Sequence, residues 1–469
     1  MSKSSPADGR LSLSLILAFA ATSLPLSATG IAVAVYLPQY FATELGVALP
    51  VVAAAFSLIR LIDMPLDPVL GVAMDRTNTR FGRYRVWTLI GTPVLMLAIY
   101  MLFMPPEGVT RTYIMGWLLV MYLGTSMMAL SHSAWAATLA TNYNERARIF
   151  GVMAAVGVAG AVLVLAMPSV VKALGYDPDL HGVPGMGWFI IILTPLATLL
   201  VCTRTPERIV RDHGVHRFKF SEYRALLSRP TVLRILFGDL CLSLGPGWMS
   251  AAYMFFFRDS RGFSSEQATG LLAIYVLAGF VGAPLMARLA MKISKHRAVM
   301  VATTGYSLLL VLLVVIPKGQ MLLAAPFMFL AGMLAAGFAV LTRAMTADAA
   351  DELRLDQGKE RSGILFALTT LTSKLAGAFS IVLVFNVLDK VGYQPGKPNT
   401  PEAIHGLELA YLIGPIVFVM IGGLCFVGYK LGAARHAEIR RELEERDALY
   451  DEAPIVESVT GEAPVTSTR

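Results

Sequence analysis

Long apolar stretches alternate with short polar loops along most of the chain. A helix needs about 20 mainly apolar residues to cross the hydrocarbon core of a bilayer. Twelve stretches are long enough, and they cover residues 11–43, 49–74, 86–104, 112–140, 149–172, 186–203, 231–257, 266–291, 298–317, 321–347, 362–388 and 407–430. The pattern predicts an all-α integral membrane protein with twelve transmembrane helices.

The first stretch follows Lys3 and Arg10, a charge placement that a signal peptide also shows. Residues 11–43 carry no charge, however, and the apolar part of a signal peptide has only about 7–15 residues. We therefore predict a retained first span. Pro25 and Pro38 lie inside it and should break or bend the helix, because proline removes a backbone donor.

Basic residues are concentrated in the loops that follow even-numbered spans. The loop after the sixth span is the richest, with Arg204, Arg208, Arg211, Arg217, Lys219, Arg224 and Arg229. Loops on the cytoplasmic side of a membrane protein carry an excess of arginine and lysine. We therefore predict a multi-pass protein of the cell (cytoplasmic or inner) membrane, with both termini in the cytoplasm.

The same basic loop divides the chain into two halves of six spans. We expect a six-helix bundle over residues 1–203, a cytoplasmic linker over 204–230, a second bundle over 231–430 and a cytoplasmic tail over 431–469. Opposite charges at helical spacing predict a helix from 435 to 446, and the polar end from 452 is predicted to be disordered. Two bundles that rock about a central site are typical of secondary transporters.

The amino-acid composition excludes several other classes of protein. Hydrophobic residues make up 56% of the 469 residues and charged residues 15%, whereas soluble domains have about 25% charged residues. This excludes a soluble multidomain enzyme, a disordered chain and a secreted disulfide scaffold. The three cysteines, Cys202, Cys241 and Cys425, lie far apart within apolar runs and suggest no bridge. The net charge of +7 is explained by the basic loops, so we expect no nucleic-acid partner.

Two carboxylates lie within the second span. A charge near the bilayer centre costs about 2.5–3.5 kcal/mol on insertion scales, so such residues are functional candidates. Asp63 and Asp67 are four residues apart and share one helical face, and Arg60 lies one turn before Asp63. Two close carboxylates either hold a cation or share a proton. The alternative is a structural Arg60–Asp63 pair, with Asp67 capping a helix that is interrupted at Pro65 or Pro68.

Lys374 stands alone in the eleventh span. An ammonium there needs a carboxylate from another helix, and the second span supplies two. A lysine that is released when a cation or substrate takes its carboxylate would couple the two binding events. The alternative, a side chain that extends to the interface, is less favoured because Lys374 lies near the middle of the segment.

Other charged residues of the spans have less defined roles. Arg343, Asp348 and Asp351 end the tenth span and are interpreted as members of ion pairs that gate the cytoplasmic side. Arg234 and Asp239 in the seventh span receive no assigned role. His132 beside Ser131 is more often a satisfied core histidine than a proton relay. No nucleotide-binding, zinc-protease or serine-hydrolase motif occurs, so we expect no cofactor and an ion gradient as the energy source.

Several motifs resemble those of known transporters. The loop after the second span resembles the signature of the major facilitator superfamily, with Gly71, Asp75, Arg76, Arg80, Gly82, Arg83 and Arg85. The pattern Arg60, Asp63, Asp67, Pro68 and Gly71, followed by residues 81–87, resembles the glycoside–pentoside–hexuronide:cation symporter family. Asp348, Asp351, residues 358–363 and Lys374 resemble its tenth-to-eleventh span pattern. The resemblance covers about residues 11–430 and implies the major facilitator fold of two six-helix bundles.

The resemblance also implies residue roles. It gives cation binding and coupling to Asp63, Asp67 and Lys374, and we add Arg60 to this site because it lies one turn before Asp63. Substrate contacts would come from Trp135, Ser131, His132 and Thr370. Closure of the cytoplasmic side would pair Asp75, Arg76, Arg83 and Arg85 with the helix ends around Arg146, Asp348 and Asp351.

This chain departs from the family pattern at four places. Leu66 replaces an asparagine between the two acids, Ser131 replaces a sugar-binding aspartate, Ala339 replaces a tryptophan, and a lysine–aspartate pair is missing around Ser27. The first departure favours protons over sodium as the coupling ion. The others weaken the prediction of a galactoside substrate.

The resulting hypothesis is cation-coupled symport (H+ or Na+) of a small organic solute, a glycoside or sugar-like compound. A lysolipid or amphipathic-solute carrier of the same fold is the alternative, and it predicts a lateral opening between helices. A polytopic membrane enzyme or a sensor is a remote third option, because no nucleophile–base pair, metal cluster or soluble domain is evident. The expected partners are the solute and the lipid bilayer, and we expect a monomer.

Overall fold

The computed structural model describes residues 11–77, 79, 81–139, 143–207, 227–357, 362–432, 435–439, 441–443 and 445. Twelve of its helical segments are long and apolar enough to cross a membrane, which confirms the predicted fold class. The second to twelfth spans are the helices Leu49–Arg76, Tyr84–Phe103, Arg111–Leu139, Tyr143–Leu165, Pro178–Arg204, Pro230–Phe255, Ser265–Ile293, Lys295–Val315, Met321–Gln357, Ser362–Lys390 and Pro401–Leu424.

The first span is broken twice, as predicted. It consists of helices Leu13–Ala20 and Ser23–Ile31, a π-helical turn Ala32–Tyr36 and helix Leu37–Thr43. Pro25 lacks an N–H and its ring opposes the carbonyl of Ala21 four residues earlier, where the first break lies. Pro38 stands in the same relation to a residue inside the π-helical turn.

The second span is one continuous helix through Pro65 and Pro68. The interruption on which the capping role of Asp67 depended does not occur, so that alternative is wrong. Asp63 and Asp67 therefore lie on successive turns of a single helix.

The twelfth span begins and ends six residues earlier than hydropathy predicts. Thr400 caps its first turn by accepting a hydrogen bond from the Ala403 N–H at 3.3 Å. The first turns carry Glu402 and Glu408, whose charges lower the local hydropathy and hide the start of the helix. The sixth span likewise begins at Pro178 instead of residue 186.

The loops and helix ends lie on two opposite faces of the bundle. We call the face with residues 79–83, 205–207 and 227–229 the linker side, and the face with residues 44–48, 174–177 and 391–400 the opposite side. Successive spans run between them. The proposed boundaries of the two halves stay a prediction, because most of the linker lies outside the described residues.

The tail is helical over residues 435–439 and 441–443, as predicted. Its ion pairs include Arg435–Glu438 at 3.0 Å and Arg441–Glu445 at 2.8 Å. The disorder predicted from residue 452 lies outside the described residues.

Candidate functional site

Lys374 connects the two halves of the protein through the acids of the second span. Its ammonium lies 3.0 Å from Asp63 Oδ2 and also forms an ion pair with Asp67 Oδ2. The two carboxylates converge on one nitrogen because four residues on a helix place them on the same face. An ammonium between two carboxylates leaves this cluster with one net negative charge.

Ser126 of the fourth span closes the cluster from the other side. Its hydroxyl lies 2.7 Å from Asp67 Oδ1 and 3.2 Å from Asp63 Oδ1. Each carboxylate thus has one oxygen towards Lys374 and one towards Ser126. Asp63 is buried at 1% exposure, whereas the Asp67 side chain is 22% exposed. Asp67 is therefore the carboxylate that an arriving cation reaches first.

Arg60 does not form the structural pair with Asp63 that was the alternative to a cation site. Its guanidinium lies 4.8 Å from the ring centroid of Tyr122 on the fourth span. On its other side it approaches Gly377, where an added Cβ would lie 3.8 Å from Arg60 Nε. Arg60 therefore lies at the boundary of the halves. It contacts Tyr122 and the helix around Gly377, whereas Lys374 contacts the two acids.

A second contact fixes the second span against the eleventh. The Ser57 hydroxyl donates a 2.6 Å hydrogen bond to the carbonyl of Ala378. Ser57 lies between Asp63 and the opposite side along its helix. The interface is therefore joined near the cluster and towards the opposite side.

A cavity of about 490 Å³ lies in the second half, beside this interface. Its wall comes from the seventh, eighth, tenth and eleventh spans. The polar residues that line it are Asp239, Ser243, Tyr275, Thr342, Arg343, Thr369, Thr370 and Ser373. Thr370, which the sequence predicted to contact substrate, thus lines the cavity. The volume of the cavity and its hydroxyl groups suit a small polar solute.

Asp239 and Arg343 give the cavity its charge. The Asp239 carboxylate accepts hydrogen bonds from Thr372 at 2.6 Å and Ser373 at 3.5 Å, and Arg343 interacts with it electrostatically. The sequence left Asp239 open and assigned Arg343 to a gate. The signal that could have found both is a charge inside an apolar span.

Trp135, Ser131 and His132 lie away from this cavity. The Trp135 indole donates to the Pro206 carbonyl at 3.1 Å, and the His132 Nε2 lies 2.9 Å from the Phe19 carbonyl oxygen. The Ser131 hydroxyl lies 3.0 Å from that of Thr88. These three side chains are at most 2% exposed and packed within the first half. Their role in substrate binding stays a prediction that this conformation does not support.

The residues predicted to gate the linker side are divided between the halves. Asp348 pairs with Lys295 at 2.6 Å and with His436 at 3.3 Å, and His436 also lies 3.1 Å from Asp351. These contacts remain within the second half and its tail. The side chains of Asp75, Arg76 and Arg146 lie outside the described part of the chain.

Arg83 and Arg85 contact Glu207 of the same half through their backbone N–H groups, and not a residue of the second half. The Glu207 carboxylate accepts the backbone N–H groups of Arg83, Tyr84 and Arg85 at 2.6, 2.7 and 3.1 Å. A carboxylate at this position satisfies free N–H groups and favours the positive end of the helix dipole. The Arg85 guanidinium donates to the Thr205 carbonyl at 2.9 Å. Sequence reasoning missed Glu207, because its partner helix is more than a hundred residues away.

The halves also touch each other at the opposite side. The Tyr36 hydroxyl donates to Thr269 at 2.7 Å, and Lys172 forms an ion pair with Glu266. A Cβ at Gly396 would lie 2.9 Å from the carbonyl oxygen of the first span's last residue. These contacts join the halves at the opposite side, in addition to the ion pairs of Lys374.

Comparison with known proteins identifies the family. The family described as MFS/sugar transport protein matches residues 18–433. The isoprimeverose transporter of Lactiplantibacillus pentosus is 22% identical over 90% of this chain and 90% of that protein. The sodium-dependent lysophosphatidylcholine symporter 1 of Homo sapiens is 24% identical over 84% of this chain and 78% of that protein. The crystal structure of the nucleoside transporter NupG is 12% identical, with a TM-score of 0.65 over 89% of this chain and 100% of that one.

These matches confirm the resemblance that the second-span and loop motifs indicated. The family match spans both halves of the chain, and the two relatives are matched over 90% and 78% of their own length. Their similarity to this chain supports transport and not catalysis. The chain therefore belongs to the MFS/sugar transport family and is a multi-pass membrane transporter.

Proposed function

We propose that this protein is a symporter that moves a small sugar-like solute together with a monovalent cation. The observation that carries the proposal is the Lys374 ammonium between the carboxylates of Asp63 and Asp67. This contact joins one helix of each half. Its formation or release therefore changes how the halves hold together.

A cation at the acids competes with Lys374. A proton or sodium ion on either carboxylate reduces the negative charge that holds the ammonium. Once Lys374 is released, the second and eleventh spans lose an attraction, and the balance between the conformations of the transporter shifts. Cation binding is thereby linked to movement of the halves.

We infer that the coupling ion is a proton. Leu66 contributes no oxygen between the acids, where the resembling symporters have an asparagine. A sodium ion needs a shell of several oxygen ligands, whereas the two carboxylates and the Ser126 hydroxyl offer at most five oxygen atoms, two of which face Lys374. Protonation needs no such shell, because one carboxylate oxygen suffices.

We assign the linker side to the cytoplasm, because basic residues are concentrated in its loops. The contacts Tyr36–Thr269 and Lys172–Glu266 then close the outer face. On the linker side, Asp348–Lys295 and Glu207–Tyr84 are each contacts within one half. We therefore interpret this conformation as one that faces the cytoplasm, ready to release or accept solute there.

The cavity beside the interface is the proposed solute site. Its volume of about 490 Å³ and its hydroxyl groups suit a glycoside. A lysolipid-like solute, which the name of the human relative raises, requires a path for an acyl chain. One wall is sealed against such a path, because a Cβ at Gly282 or Gly332 would lie 2.1 Å from a backbone oxygen of the facing span.

Thermal unfolding of the purified protein identifies the solute. Glycosides, sugar acids and lysolipids are added at two pH values, with and without sodium, since a ligand of the native state raises the unfolding temperature. Uptake of the stabilising solute is then measured in proteoliposomes under an imposed proton or sodium gradient.

Coupling is tested in the same vesicles. We expect the gradient to accelerate uptake by the natural chain, and we expect Asp63→Asn and Asp67→Asn to abolish that acceleration. Asp389→Asn, at an exposed position near the end of the eleventh span, is the matched control. Unchanged gradient dependence in both second-span variants would refute cation coupling at these acids.

A further inference from the structure

A groove of about 350 Å³ lies on the surface of the second half, between the seventh and twelfth spans. It is close to the linker side, because the seventh span begins there and the twelfth span ends there. The residues that line it are Leu233, Arg234, Phe237, Leu424, Cys425 and Val427. The leucine, phenylalanine and valine side chains among them are between 47% and 61% exposed, which in a membrane protein places the groove against lipid.

The two spans are packed closely beside the groove. A Cβ at Gly238 would lie 2.7 Å from the Phe426 ring, and a Cβ at Gly422 would lie 3.2 Å from the Gly238 carbonyl oxygen. Leu233 and Phe237 are four residues apart and therefore share one face of the seventh span. The groove thus has a fixed shape with an apolar wall.

Arg234 is the charged residue of the groove. It lies four residues after Pro230, where the seventh span begins, or about 6 Å along the helix axis, which is near the level of the lipid headgroups. Its Nη1 group donates hydrogen bonds at 3.4 and 3.3 Å to the carbonyls of Val427 and Gly428, which follow the end of the twelfth span. Its Nε and Nη2 donors bond none of the residues that the structure describes.

The charge at this end of the groove is positive. Neither Arg234 nor the exposed Lys430 forms an ion pair with any residue in the described part of the chain. Asp348 and Glu352 of the tenth span act electrostatically on Tyr429, as Arg234 does, but these two acids interact with basic residues of their own. An apolar wall therefore ends at two cations that have no paired carboxylate among the described residues.

We propose that this groove binds an anionic phospholipid of the membrane leaflet on the linker side. The lipid phosphate accepts paired, charge-assisted hydrogen bonds from the Arg234 guanidinium, and one acyl chain lies along Leu233 and Phe237. A lipid with a net negative charge is preferred, because the ammonium of a zwitterionic headgroup opposes the charges of Arg234 and Lys430. The bound lipid is not transported, so the proposal is independent of the solute and of the coupling ion.

The test titrates lipid onto the full-length protein, purified and freed of lipid in a neutral detergent. Phosphatidylglycerol and phosphatidylcholine with the same acyl chains are added separately, and thermal unfolding and native mass spectrometry record stability and bound lipid. We expect phosphatidylglycerol to bind, and to raise the unfolding temperature, at lower concentration than phosphatidylcholine. Glycerol phosphate carries the phosphate without the acyl chains, and it should have no effect over the same range.

Two variants assign the effect to the groove. Arg234→Gln keeps an amide donor for the nearby carbonyls but removes the charge, and it should need roughly tenfold more phosphatidylglycerol for the same shift. Arg297→Gln is the matched control, because Arg297 is an exposed arginine in the first turn of the ninth span, on the same side of the membrane but outside the groove. It should respond like the natural chain.

Cys425 reports on the groove while Arg234 stays in place, which covers the case in which Arg234→Gln fails to fold. Its side chain is partly exposed and lines the groove. In a chain with Cys202→Ala and Cys241→Ala, phosphatidylglycerol should slow the alkylation of Cys425 by a maleimide more than phosphatidylcholine does at the same concentration.

Several results would overturn the proposal. Equal responses to the two lipids, in stability or in the protection of Cys425, would remove the preference for an anion. An equal response in Arg234→Gln and Arg297→Gln would show that the groove has no special part in lipid binding. Stabilisation by glycerol phosphate alone would indicate a site for a soluble phosphate instead of a lipid.

Discussion

Lys374 and Asp63 are 311 positions apart in the chain, and their side chains form an ion pair with an N–O distance of 3.0 Å. Asp63 is buried, and its carboxylate contacts this ammonium and the hydroxyl of Ser126. Removing one member of a buried pair leaves the other uncompensated, which is strongly unfavourable. A cation that replaces Lys374 satisfies the acids and frees the lysine, which is the basis of the proposed coupling.

Ser126→Ala tests the third member of the cluster. The variant loses one hydrogen bond to each carboxylate, and we expect the cation concentration for half-maximal stabilisation to change by roughly tenfold. Thr125→Ala is the control, since the Thr125 hydroxyl bonds the Met121 carbonyl of its own helix. The measurement is a thermal-unfolding titration with protons and with sodium. Identical titrations for both variants would exclude Ser126 from the site.

Gly332→Ala tests the close packing of the eighth and tenth spans. An added Cβ would lie 2.1 Å from the Tyr275 carbonyl oxygen, so the helices must separate. We expect destabilisation of about 1–3 kcal/mol or more, seen as a lower unfolding temperature. Gly116→Ala in the fourth span meets nothing within 4 Å and should be neutral or slightly stabilising. Equal unfolding temperatures for the two variants would contradict the packing described here.

Glu207→Gln tests the anchor of the third span. Glutamine keeps the shape of the side chain but removes the charge that three backbone N–H groups share. We expect a loss of about 1–2 kcal/mol in the free energy of unfolding, because hydrogen bonds to a charged group are the stronger ones. Glu107→Gln, on an exposed loop, serves as the control. A stability equal to that of the control would show that Glu207 is dispensable.

A cross-link at the opposite side tests the assigned conformation. Cysteines at Lys172 and Glu266, in a chain whose three native cysteines are replaced, should be joined by a short thiol-reactive reagent. We expect the joined protein to lose solute uptake, because the halves can no longer part at this side. Each single-cysteine variant should keep its uptake after the same treatment. Undiminished uptake by the joined protein would contradict the closure assigned to this pair.

The sequence predicted the spans and the central ion cluster for physical reasons. Twelve crossings follow from hydropathy, and the bends near Pro25 and Pro38 follow from the missing proline N–H. Lys374 called for a carboxylate because an isolated ammonium is costly inside a membrane, and Asp63 and Asp67 were the pair available on one helical face.

The direction of individual side chains and the contacts between spans could not be predicted from the sequence. Alignment gives the position of Trp135 but not its direction, and the indole is enclosed against Pro206. Ser126 resembles many other span serines until the fold places it beside two acids. Arg343 was interpreted as a gate residue from its place near the helix end, whereas the helix continues to Gln357 and leaves Arg343 on the cavity wall.

The most direct measurement compares cation binding by the natural chain and by Lys374→Gln, without any solute. Thermal unfolding is followed against pH and against sodium at constant ionic strength, with the Asp63→Asn, Asp67→Asn double variant as the control. If Lys374 and the cation compete for the same carboxylates, Lys374→Gln is stabilised at lower cation concentration than the natural chain, and the double variant loses the response. An unchanged or weaker cation response in Lys374→Gln would contradict the competition on which the proposed coupling depends.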